Sequence, residues 1–593
     1  MERKTHRDII QGWHPFSSEE IHEYVSKGIW SNLTFGDILD RNAASIPDRI
    51  AVIDDSKAVT WREMKLKSDR LALHFLKLGL KYGDFVVLIS PNIVEFYFIL
   101  FGLARIGVIP VMCLPRHRKM EVSHMVALHD ARALIVPSGE RFDFTGMVNE
   151  FRKESPTLEL FFTLGGSPVE GWLSIEQLLK KEIEKDYPGD YLAGFKPDPN
   201  DIVVEQLSGG TTGLPKGIPR THNDYIMIWD YVGRKEGNTD ETVTLCIPPV
   251  SHNMALSDVA GPMFFRGGKV VITKSTRPED HFKIIEKNRV TAVDLVPVLL
   301  SYWMESEDLL KKYDLSSLKI LCTGAQKVKP ELILWSMKKL GVQFCNTFGM
   351  TELPVLATRW DSPVEAQLNT VGYPAITDSC VEIKLVDDDN NEVAPGEIGE
   401  MVMKGPLAFK GYFRNPEENA KSFDKDGFFH SGDLMSLRPD GYYVVEGRKK
   451  DMIIRGGENV YPEPVEGWLM KNPKAAFTAV VGMPDEKLGE KLCAFVQLAP
   501  GQQLTFEEMQ QFLTKQGVAV FQWPERLEVV KGWPLTALNK IDKRSLRAYI
   551  TAKLFEEGII DKKLGDEFLK KDKLTVDDIV SKRVAIDFAG SPL

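Results

Sequence analysis

Leu207-Ser-Gly-Gly-Thr-Thr-Gly-Leu-Pro-Lys-Gly217 combines four glycines, three hydroxyl side chains and one lysine within eleven residues. Glycines let a backbone approach an anion closely and turn its N–H groups inward, while hydroxyls and lysine add donors and charge. The preceding Asp201-Ile-Val-Val-Glu-Gln206 has a strand pattern, and α/β folds bind ligands at strand ends. The stretch therefore predicts a phosphate-binding loop, although a plain connection can have the same composition. It is not a P-loop, because the Gly-Lys-Ser/Thr ending is absent. The candidate residues are Ser208, Gly209, Gly210, Thr211, Thr212, Gly213 and Lys216.

Length and charge limit the class of protein. A chain of 593 residues is too long to fold around a single hydrophobic core, so we expect two or more domains. The composition is that of a globular protein, with 43% hydrophobic and 27% charged residues. The net charge of −10 argues against a nucleic-acid partner. Anionic substrates must therefore be met by local lysines and arginines.

Cysteine spacing and terminal composition indicate a cytoplasmic protein. The six cysteines show neither CxxC nor metal-ligand spacing and are expected to be reduced core residues. The charged N-terminus lacks a following apolar region, so no signal peptide is expected. The most apolar stretch, 96–114, is interrupted by Arg105, Gly107 and Pro110. It predicts a buried helix leading into a strand and not a membrane span.

The order of apolar patterns predicts an α/β fold. Between about 50 and 350, β-branched runs alternate with helical periodicity, which predicts a large N-terminal domain of two parallel-rich sheets with helices. Short strands separated by Gly/Asp turns predict a small β subdomain over about 380–446. The predicted division is an N-terminal core at 1–449, a small mobile α+β domain at 450–552 and a helical tail at 553–593.

Further motifs carry candidate chemistry, each with a plainer alternative. In Asn346-Thr-Phe-Gly-Met-Thr-Glu352, the final hydroxyl and carboxylate suit a phosphate and a metal ion, or a helix N-cap. Asp433, in Ser431-Gly-Asp433, suits two ribose hydroxyls or a turn. Arg448 and Lys540 are cations in turn-like contexts and, taken singly, are typical of solvated surface charges.

Together, in this order, the motifs resemble the adenylate-forming superfamily of acyl-CoA synthetases, adenylation domains and luciferases. The resemblance covers roughly residues 30–550 and includes Gly447-Arg-Lys-Lys-Asp451 and Arg455-Gly-Gly-Glu-Asn459. It implies two half-reactions. A carboxylate attacks the α-phosphate of ATP to give an acyl-adenylate and pyrophosphate, and a thiol then displaces AMP. Catalysis of the first step must be mainly electrostatic, because two anions meet.

The resemblance also implies residue roles. Lys540 would hold the carboxylate and α-phosphate, Thr351 would contact the α-phosphate, and Glu352 would bind Mg²⁺. The loop from Ser208 to Lys216 would wrap the β- and γ-phosphates. The remaining roles are ribose binding by Asp433 and Arg448, an adenine border of Gly324, Ala325, Gln326, Asn346, Thr347 and Phe348, a hinge at Lys450, and a thiol channel at Gly456 and Gly457. Asn539 stands where the family usually has glycine, which leaves the strength of Lys540 in adenylation open.

Within the superfamily, the chain is most similar to aryl-acid-activating enzymes of the dihydroxybenzoate–AMP ligase type. The matching segments are Pro219-Arg-Thr-His-Asn-Asp-Tyr225, Ser251-His-Asn253 and Leu295-Val-Pro297. The likeness places His252 beside the substrate carboxylate, Asn253 against a polar group and Gly349 in the acyl pocket. The alternative is that His252 and Asn253 only cap a helix.

The acyl pocket departs from this pattern at Asp258, where the relatives have a serine that contacts a ring hydroxyl. A buried aspartate needs a hydrogen-bond donor or a cation from substrate or protein. Benzoate, a hydroxy- or aminobenzoate, and an aromatic dicarboxylate with Arg266 nearby therefore all stay open.

The thiol acceptor is expected to be coenzyme A or a carrier protein in trans, because the segment after 553 is too short for an attached carrier domain. The altered pocket favours coenzyme A, hence an AMP-forming aryl-CoA ligase that uses ATP and Mg²⁺. The alternative is a stand-alone aryl-acid adenylation enzyme that loads a siderophore carrier protein. A silent nucleotide-binding member is disfavoured because the catalytic motifs are present, and nothing in the sequence favours a luciferase-like oxygenase. Whether the protein forms a homodimer stays open.

Overall fold

A computed structural model of the chain describes residues 4–166, 168–208, 214–324, 328–374, 381–535 and 540–580. Within them the chain divides into two compact units. The first unit contains the described residues of Met1–Gly210, Leu214–Glu382 and Met403–Phe429. The second contains those of Ile383–Val402 and His430–Leu593. Of the predicted site residues, Gly209 to Gly213, Ala325 and Gln326 lie outside the described residues.

Two sheets with mainly parallel strands form the first unit. One runs in the order Tyr373–Pro374, Leu353–Ala357, Gln343–Met350, Ile320–Thr323, Ala292–Leu295, Val243–Cys246, Lys269–Ile272, Ile50–Ile53 and Ala58–Thr60. The other runs in the order Leu173–Ser174, Leu160–Leu164, Ala133–Pro137, Phe85–Ile89, Ile109–Cys113, Ile202–Leu207 and Gly217–Thr221. Strands such as Phe85–Ile89 are buried along their whole length, as expected for parallel strands covered on both faces.

Helices surround these sheets, and polar residues mark where several of them begin. Thr60 and Thr221, for example, accept a hydrogen bond from the backbone three residues on. The α-helices of this unit are His6–Ile9, Ser18–Ser26, Phe35–Ser45, Trp61–Lys77, Glu95–Arg105, Lys119–His129, Phe144–Phe151, Ile175–Lys180, His222–Lys235, Gly261–Arg266, Pro278–Asn288, Pro297–Glu305, Pro330–Trp335, Val364–Asn369 and Pro416–Ser422. The predicted helix-then-strand in 96–114 is present as Glu95–Arg105 followed by Ile109–Cys113. Two π-helical turns, Ala255–Ala260 and Ser336–Leu340, adjoin Gly261–Arg266 and Pro330–Trp335.

The second unit holds most of an additional sheet and a compact α+β part. The sheet runs in the order Glu382–Val386, Ile398–Lys404, Phe429–Leu437 and Tyr443–Arg448. A further sheet contains Glu458–Val460, Ile453–Arg455, Gly489–Leu498 and Ala475–Asp485, with Arg526–Val530 paired to Gly489–Leu498. Its helices are Pro462–Met470, Phe506–Lys515, Lys543–Glu556, Lys562–Leu569 and Val576–Val580.

This architecture confirms the predicted fold class: a large α/β part with two parallel-rich sheets, a small β sheet and a smaller C-terminal α+β part. Among the helices of the described ranges, none has both the length and the apolar character needed to cross a membrane. The five cysteines within those ranges are free and buried, and Cys380 lies outside them.

Candidate active site

The predicted phosphate loop connects two antiparallel strands. Leu207 lies opposite Gly217 in the pairing of Ile202–Leu207 with Gly217–Thr221. The Ser208 N–H donates to the Lys216 carbonyl at 3.0 Å, and the Lys216 N–H donates to Ser208 Oγ at 3.2 Å. These bonds hold the two ends of the loop together. Packing favours glycine at 217, because a Cβ there would lie 2.9 Å from Glu205 Oε2 and 3.0 Å from His129 Nε2.

Lys216 lies in a chain of contacts that leads to the predicted metal ligand Glu352. Its ammonium forms an ion pair with Glu418 and lies 4.4 Å from the centre of the Tyr412 ring. The Tyr412 hydroxyl donates to Glu352 Oε1 at 2.9 Å. Burial, together with Glu352, raises the pKa of Tyr412, which therefore remains a donor. Neither Tyr412 nor Glu418 was identified from the sequence.

Glu352 fits the role of a Mg²⁺ ligand. It is 8% exposed, and within the described part of the chain its second carboxylate oxygen makes no hydrogen bond. Mg²⁺ in phosphate sites is typically held by one or two carboxylates together with substrate phosphates. A single carboxylate beside the phosphate loop residue Lys216 matches this donor set.

Thr351 and Glu352 form the turn of a hairpin, so the helix N-cap alternative is wrong. The hairpin joins Gln343–Met350 to Leu353–Ala357. Arg220 is fully buried and donates from Nη1 to the Thr351 carbonyl at 2.9 Å and from Nη2 to the Leu407 carbonyl at 3.0 Å. Arg220 therefore positions this turn. The sequence signal for it was a charged residue within a buried strand, Gly217–Thr221.

The described residues of the predicted adenine border, Gly324 and 346–348, lie at or next to the neighbouring parallel strands Ile320–Thr323 and Gln343–Met350. The Thr347 hydroxyl donates to the Thr323 carbonyl at 2.7 Å, and a Cβ on Gly324 would lie 2.5 Å from that hydroxyl. Asn346 donates from Nδ2 to the Thr370 carbonyl at 2.8 Å, so its amide is bound to backbone. Phe348 and the exposed Gly349 continue the same strand.

The predicted acyl residues lie at the start of a helical segment. His252 Nδ1 accepts the Met254 N–H at 3.1 Å, which leaves the ring proton on Nε2. His252 therefore binds the start of the helical segment through Nδ1. Gln206 donates to the Tyr225 hydroxyl at 3.1 Å, and Tyr225 donates to Asn253 Oδ1 at 2.6 Å. This series of hydrogen bonds occupies Asn253 Oδ1 and leaves the Asn253 amide N–H groups as donors.

Asp258 lies in the π-helical turn Ala255–Ala260, which packs on the helix His222–Lys235 and the strand Ala292–Leu295. Ser257 Oγ donates to Asp258 Oδ1 at 2.9 Å. Burial raises the pKa of Asp258, and the charge of Lys235 opposes this shift. Arg266, the cation considered from the sequence, instead pairs with Asp230 at 2.7 Å. Lys235 is therefore the cation near Asp258, and the sequence did not indicate it.

In the second unit, the two predicted ribose residues pair with each other. Asp433 and Arg448 are register partners on Phe429–Leu437 and Tyr443–Arg448. Arg448 Nε donates to Asp433 Oδ1 at 2.6 Å, and Asp433 raises the pKa of Arg448. A cleft of about 340 Å³ beside them is lined by Ser431, Gly432, Arg448, Lys449 and Lys450. The cleft is cationic and suits an anionic or hydroxyl-rich ligand.

The predicted hinge and thiol-channel residues lie in turns. Lys450 is within the short helical turn Lys449–Asp451. Gly456 and Gly457 have φ angles of +59° and +89° in the hairpin between Ile453–Arg455 and Glu458–Val460, a conformation that favours glycine.

The two ends of the segment that carries Lys540 are hydrogen-bonded to each other. Leu535 pairs with Ile541, and the Asp542 N–H donates to the Pro534 carbonyl at 2.8 Å. Lys540 itself is half-buried. Asn539 lies outside the described residues.

Comparison with known proteins agrees with the motifs. Residues 39–413 match the family described as AMP-binding enzyme, and 464–540 match the AMP-binding enzyme C-terminal domain. A 2,3-dihydroxybenzoate-AMP ligase of Bacillus subtilis (strain 168) is 37% identical over 92% of this chain and 99% of its own length. A salicylyl-CoA synthase / salicylate adenylyltransferase of Streptomyces sp is 34% identical, covering 92% and 98%. The structure of apo MbtA from Mycobacterium smegmatis is similar with a TM-score of 0.70 and 34% identity, covering 92% and 99%. The resemblance to aryl-acid-activating, adenylate-forming enzymes is thereby confirmed.

Proposed function

The chain belongs to the family of AMP-binding enzymes, and on this premise we propose that it activates an aryl carboxylic acid as its acyl-adenylate and then loads a carrier protein in trans. The observation that carries the proposal is similarity along 99% of a relative named as an AMP ligase for 2,3-dihydroxybenzoate. The Gln206–Tyr225–Asn253 hydrogen-bond chain supports an aryl substrate, because it aims amide donors away from Tyr225, available to a polar ring substituent.

In the first half-reaction, the charges of ATP and the acid must be held together. Lys216 and Lys540 supply cations, and Thr351 supplies a hydroxyl donor near the α-phosphate. His252, which the resemblance places beside the substrate carboxylate, orients it. Glu352 would hold Mg²⁺, which neutralises phosphate charge when bound.

Nucleotide binding changes the partners of Asp433 and Arg448. Asp433 is 2% exposed and accepts from Arg448 in this structure. A ribose brings two hydroxyl donors, which the Asp433 carboxylate accepts. Ser208 to Gly213 and Lys216 bind the β- and γ-phosphates, and the strand from Asn346 to Phe348 borders the adenine.

The second half-reaction requires access for a thiol. Rotation at Lys450 would withdraw Lys540, and the Gly456-Gly457 turn would then line the path of a pantetheine thiol. Positive φ angles at both glycines support a close passage of a thin ligand along the backbone.

Coenzyme A is the second candidate acceptor. A relative named salicylyl-CoA synthase / salicylate adenylyltransferase supports it. The carrier-protein alternative has the stronger support, since the 37% identical relative is named as an AMP ligase. The sequence alone favoured coenzyme A as the thiol acceptor, and the similarity to this relative reverses that preference.

The test is acid-dependent ATP–pyrophosphate exchange over benzoates and fatty acids, followed by acyl transfer to coenzyme A and to a phosphopantetheinylated aryl carrier protein. We expect exchange with one aryl acid and transfer to the carrier protein at least about tenfold faster than to coenzyme A. Faster transfer to coenzyme A would make the chain an aryl-CoA ligase. Exchange with fatty acids alone would overturn the aryl assignment.

Single variants separate the two half-reactions. Lys540→Ala should lower exchange by about 100-fold or more while sparing transfer from supplied acyl-adenylate. The exposed Lys531→Ala is the matched control. Gly457→Leu should slow only the transfer step. Equal loss of both steps in Lys540→Ala would contradict a domain that moves between them.

A further inference from the structure

The chain continues beyond residue 540, where the match to the C-terminal family domain ends. Two short helices in this continuation, Lys562–Leu569 and Val576–Val580, pack against the longer helix Lys543–Glu556. The apolar cluster that these helices share contains the buried residues Ala548, Ala552, Leu569, Val576 and Ile579. The two short helices are therefore a packed part of the second unit, and the proposed reaction gives them no role.

Asp572, which lies between the two short helices, is linked to the predicted hinge turn through one arginine. Arg547 donates from Nε to Asp572 Oδ2 at 2.9 Å and from Nη2 to Asp572 Oδ1 at 2.7 Å. Its Nη1 donates to Asp451 Oδ1 at 3.2 Å. Arg544 also donates to the Asp572 backbone carbonyl, at 2.6 Å. One guanidinium therefore connects the short helices with the last residue of the turn Lys449–Asp451.

Burial and charge make this link specific. The side chains of Arg547 and Asp572 are both buried, and bidentate pairs of this kind fix the geometry of their partners. Burial opposes ionisation of Asp451, but the cations Lys543 and Arg547 lower its pKa, so this carboxylate stays charged. Without Asp572, Arg547 would keep only the bond to Asp451 among the described residues. A buried guanidinium that loses its main partner is strongly destabilised in its position.

The turn itself offers few places where the backbone can rotate. The Met452 N–H donates to the Arg448 carbonyl at 3.1 Å, which closes the turn around Lys450. A change of φ and ψ at Lys450 opens this bond, whereas the bond from Arg547 keeps Asp451 attached to the helix that carries Arg547. A hinge of this kind absorbs its rotation in very few residues.

We propose that Asp572 and Arg547 are positioning residues for the second half-reaction: through Asp451 they confine the hinge rotation to the two lysines before it, so that the residues beyond move as one body. This inference rests on the proposed function and gives the C-terminal helices a role in it. The thiol path needs this precision, because a misplacement of about 1 Å can slow a reaction by up to about 100-fold. Adenylation is less sensitive, because the charge of Lys540 is attracted to the anionic substrates.

Hydrogen–deuterium exchange of the full chain tests the link without any substrate. In Asp572→Asn, the backbone amides of 449–456 should exchange about tenfold faster than in the wild type, with little change in the strands of the C-terminal sheet. The double variant Arg547→Met with Asp572→Leu removes both charges and retains apolar volume, so it should fold and show the same local change. Lys571→Ala breaks a neighbouring pair with Glu490, in which the lysine is 40% exposed, and this matched control should behave as the wild type.

The two half-reactions give the second readout. Acyl transfer should slow by about 3–10-fold in both altered proteins, whereas ATP–pyrophosphate exchange should stay within about twofold of the wild type. Unchanged hydrogen–deuterium exchange in 449–456 would overturn the inference. Faster hydrogen–deuterium exchange throughout the C-terminal part, with equal loss of both half-reactions, would also overturn it, because Asp572 would then only stabilise the fold. Absence of acid-dependent pyrophosphate exchange in the wild type would instead overturn the proposed function, and the hydrogen–deuterium comparison would still decide whether Asp572 holds the turn.

Discussion

Two groups of buried and partly buried charges differ in how completely they are paired. The acyl-side cluster consists of Lys235, Glu236, Asp258 and Asp294, in which Lys235 makes no ion pair within 4.0 Å among the described residues. The hinge-side cluster lies next to Lys450 and joins cations and carboxylates at hydrogen-bond distance. Its members are Asp451, Glu463, Glu466, Lys543, Arg547 and Asp572.

The hinge-side cluster has the geometry of a structural element. Arg547 donates to both oxygens of Asp572 at 2.9 Å and 2.7 Å and reaches Asp451 at 3.2 Å. Lys543 lies 2.8 Å from Glu466 and 3.3 Å from Glu463. Such bidentate pairing fixes the positions of the helices that carry these residues.

The difference between the clusters indicates different roles. Buried charges that find partners within the protein hold elements in place, while those that do not are candidates for meeting a ligand. The hinge-side pairs connect the turn Lys449–Asp451 with Lys543–Glu556 and with Asp572, beyond the C-terminal family match at 540. The C-terminal helices therefore brace the segment predicted to act as the hinge.

The largest effect is expected when the paired cluster is broken. Arg547→Ala removes a guanidinium that is 9% exposed and leaves Asp572, at 2% exposed, without its partner. We expect the free energy of unfolding to fall by roughly 3–5 kcal/mol, measured by urea denaturation. Arg289→Ala breaks a pair in which both side chains are more than half exposed, and it should cost about 0–1 kcal/mol. Similar losses in the two variants would contradict a structural role for the hinge-side cluster.

A smaller effect is expected in the acyl-side cluster, and it depends on pH. Burial raises the pKa of Glu236 from 4.5 to about 7. Between these values the folded protein binds more protons than the unfolded chain, so the free energy of unfolding decreases as pH rises. Glu236→Gln lacks this contribution. Between pH 5 and 8 the free energy of unfolding should therefore fall by about 1–3 kcal/mol more in the wild type than in the variant.

The measurement is urea denaturation of both proteins at several pH values in that interval. The exposed Glu417→Gln serves as control and should follow the wild type. Parallel pH profiles of wild type and Glu236→Gln would show that Glu236 is ionised throughout and that the acyl-side cluster is electrostatically balanced.

The two clusters also show what sequence patterns can predict. The fold class was predictable because apolar periodicity is local, and the family was predictable because each of its motifs is contiguous in the sequence. The acyl-side cluster was not predictable. It forms only when the strand with Asp294 and the π-helical turn with Asp258 meet the end of the helix His222–Lys235.

The same limit explains the residues that were missed or ascribed to another cause. Arg220 contacts carbonyls of residues 351 and 407, which no local pattern relates to it. Gly217 was counted among the glycines of an anion-binding loop, yet a Cβ at this position would also meet the side chains of Glu205 and His129. For His252, the capping alternative has direct support, because its Nδ1 accepts a backbone N–H at the start of the helical segment.

The smallest effect is expected at a pair intermediate between the two clusters, Lys216 with Glu418, whose side chains are 24% and 33% exposed. A half-exposed pair contributes less than about 1 kcal/mol to stability. The phosphates of ATP must compete with Glu418 for the Lys216 ammonium, so Glu418→Gln should lower KM for ATP by about 2–5-fold with kcat within about twofold. Glu417→Gln, on the exposed side of the same helix, should change neither constant. A higher KM in Glu418→Gln would mean instead that Glu418 holds Lys216 in position for the phosphates, in which case this pair belongs with the paired, structural charges of the hinge side.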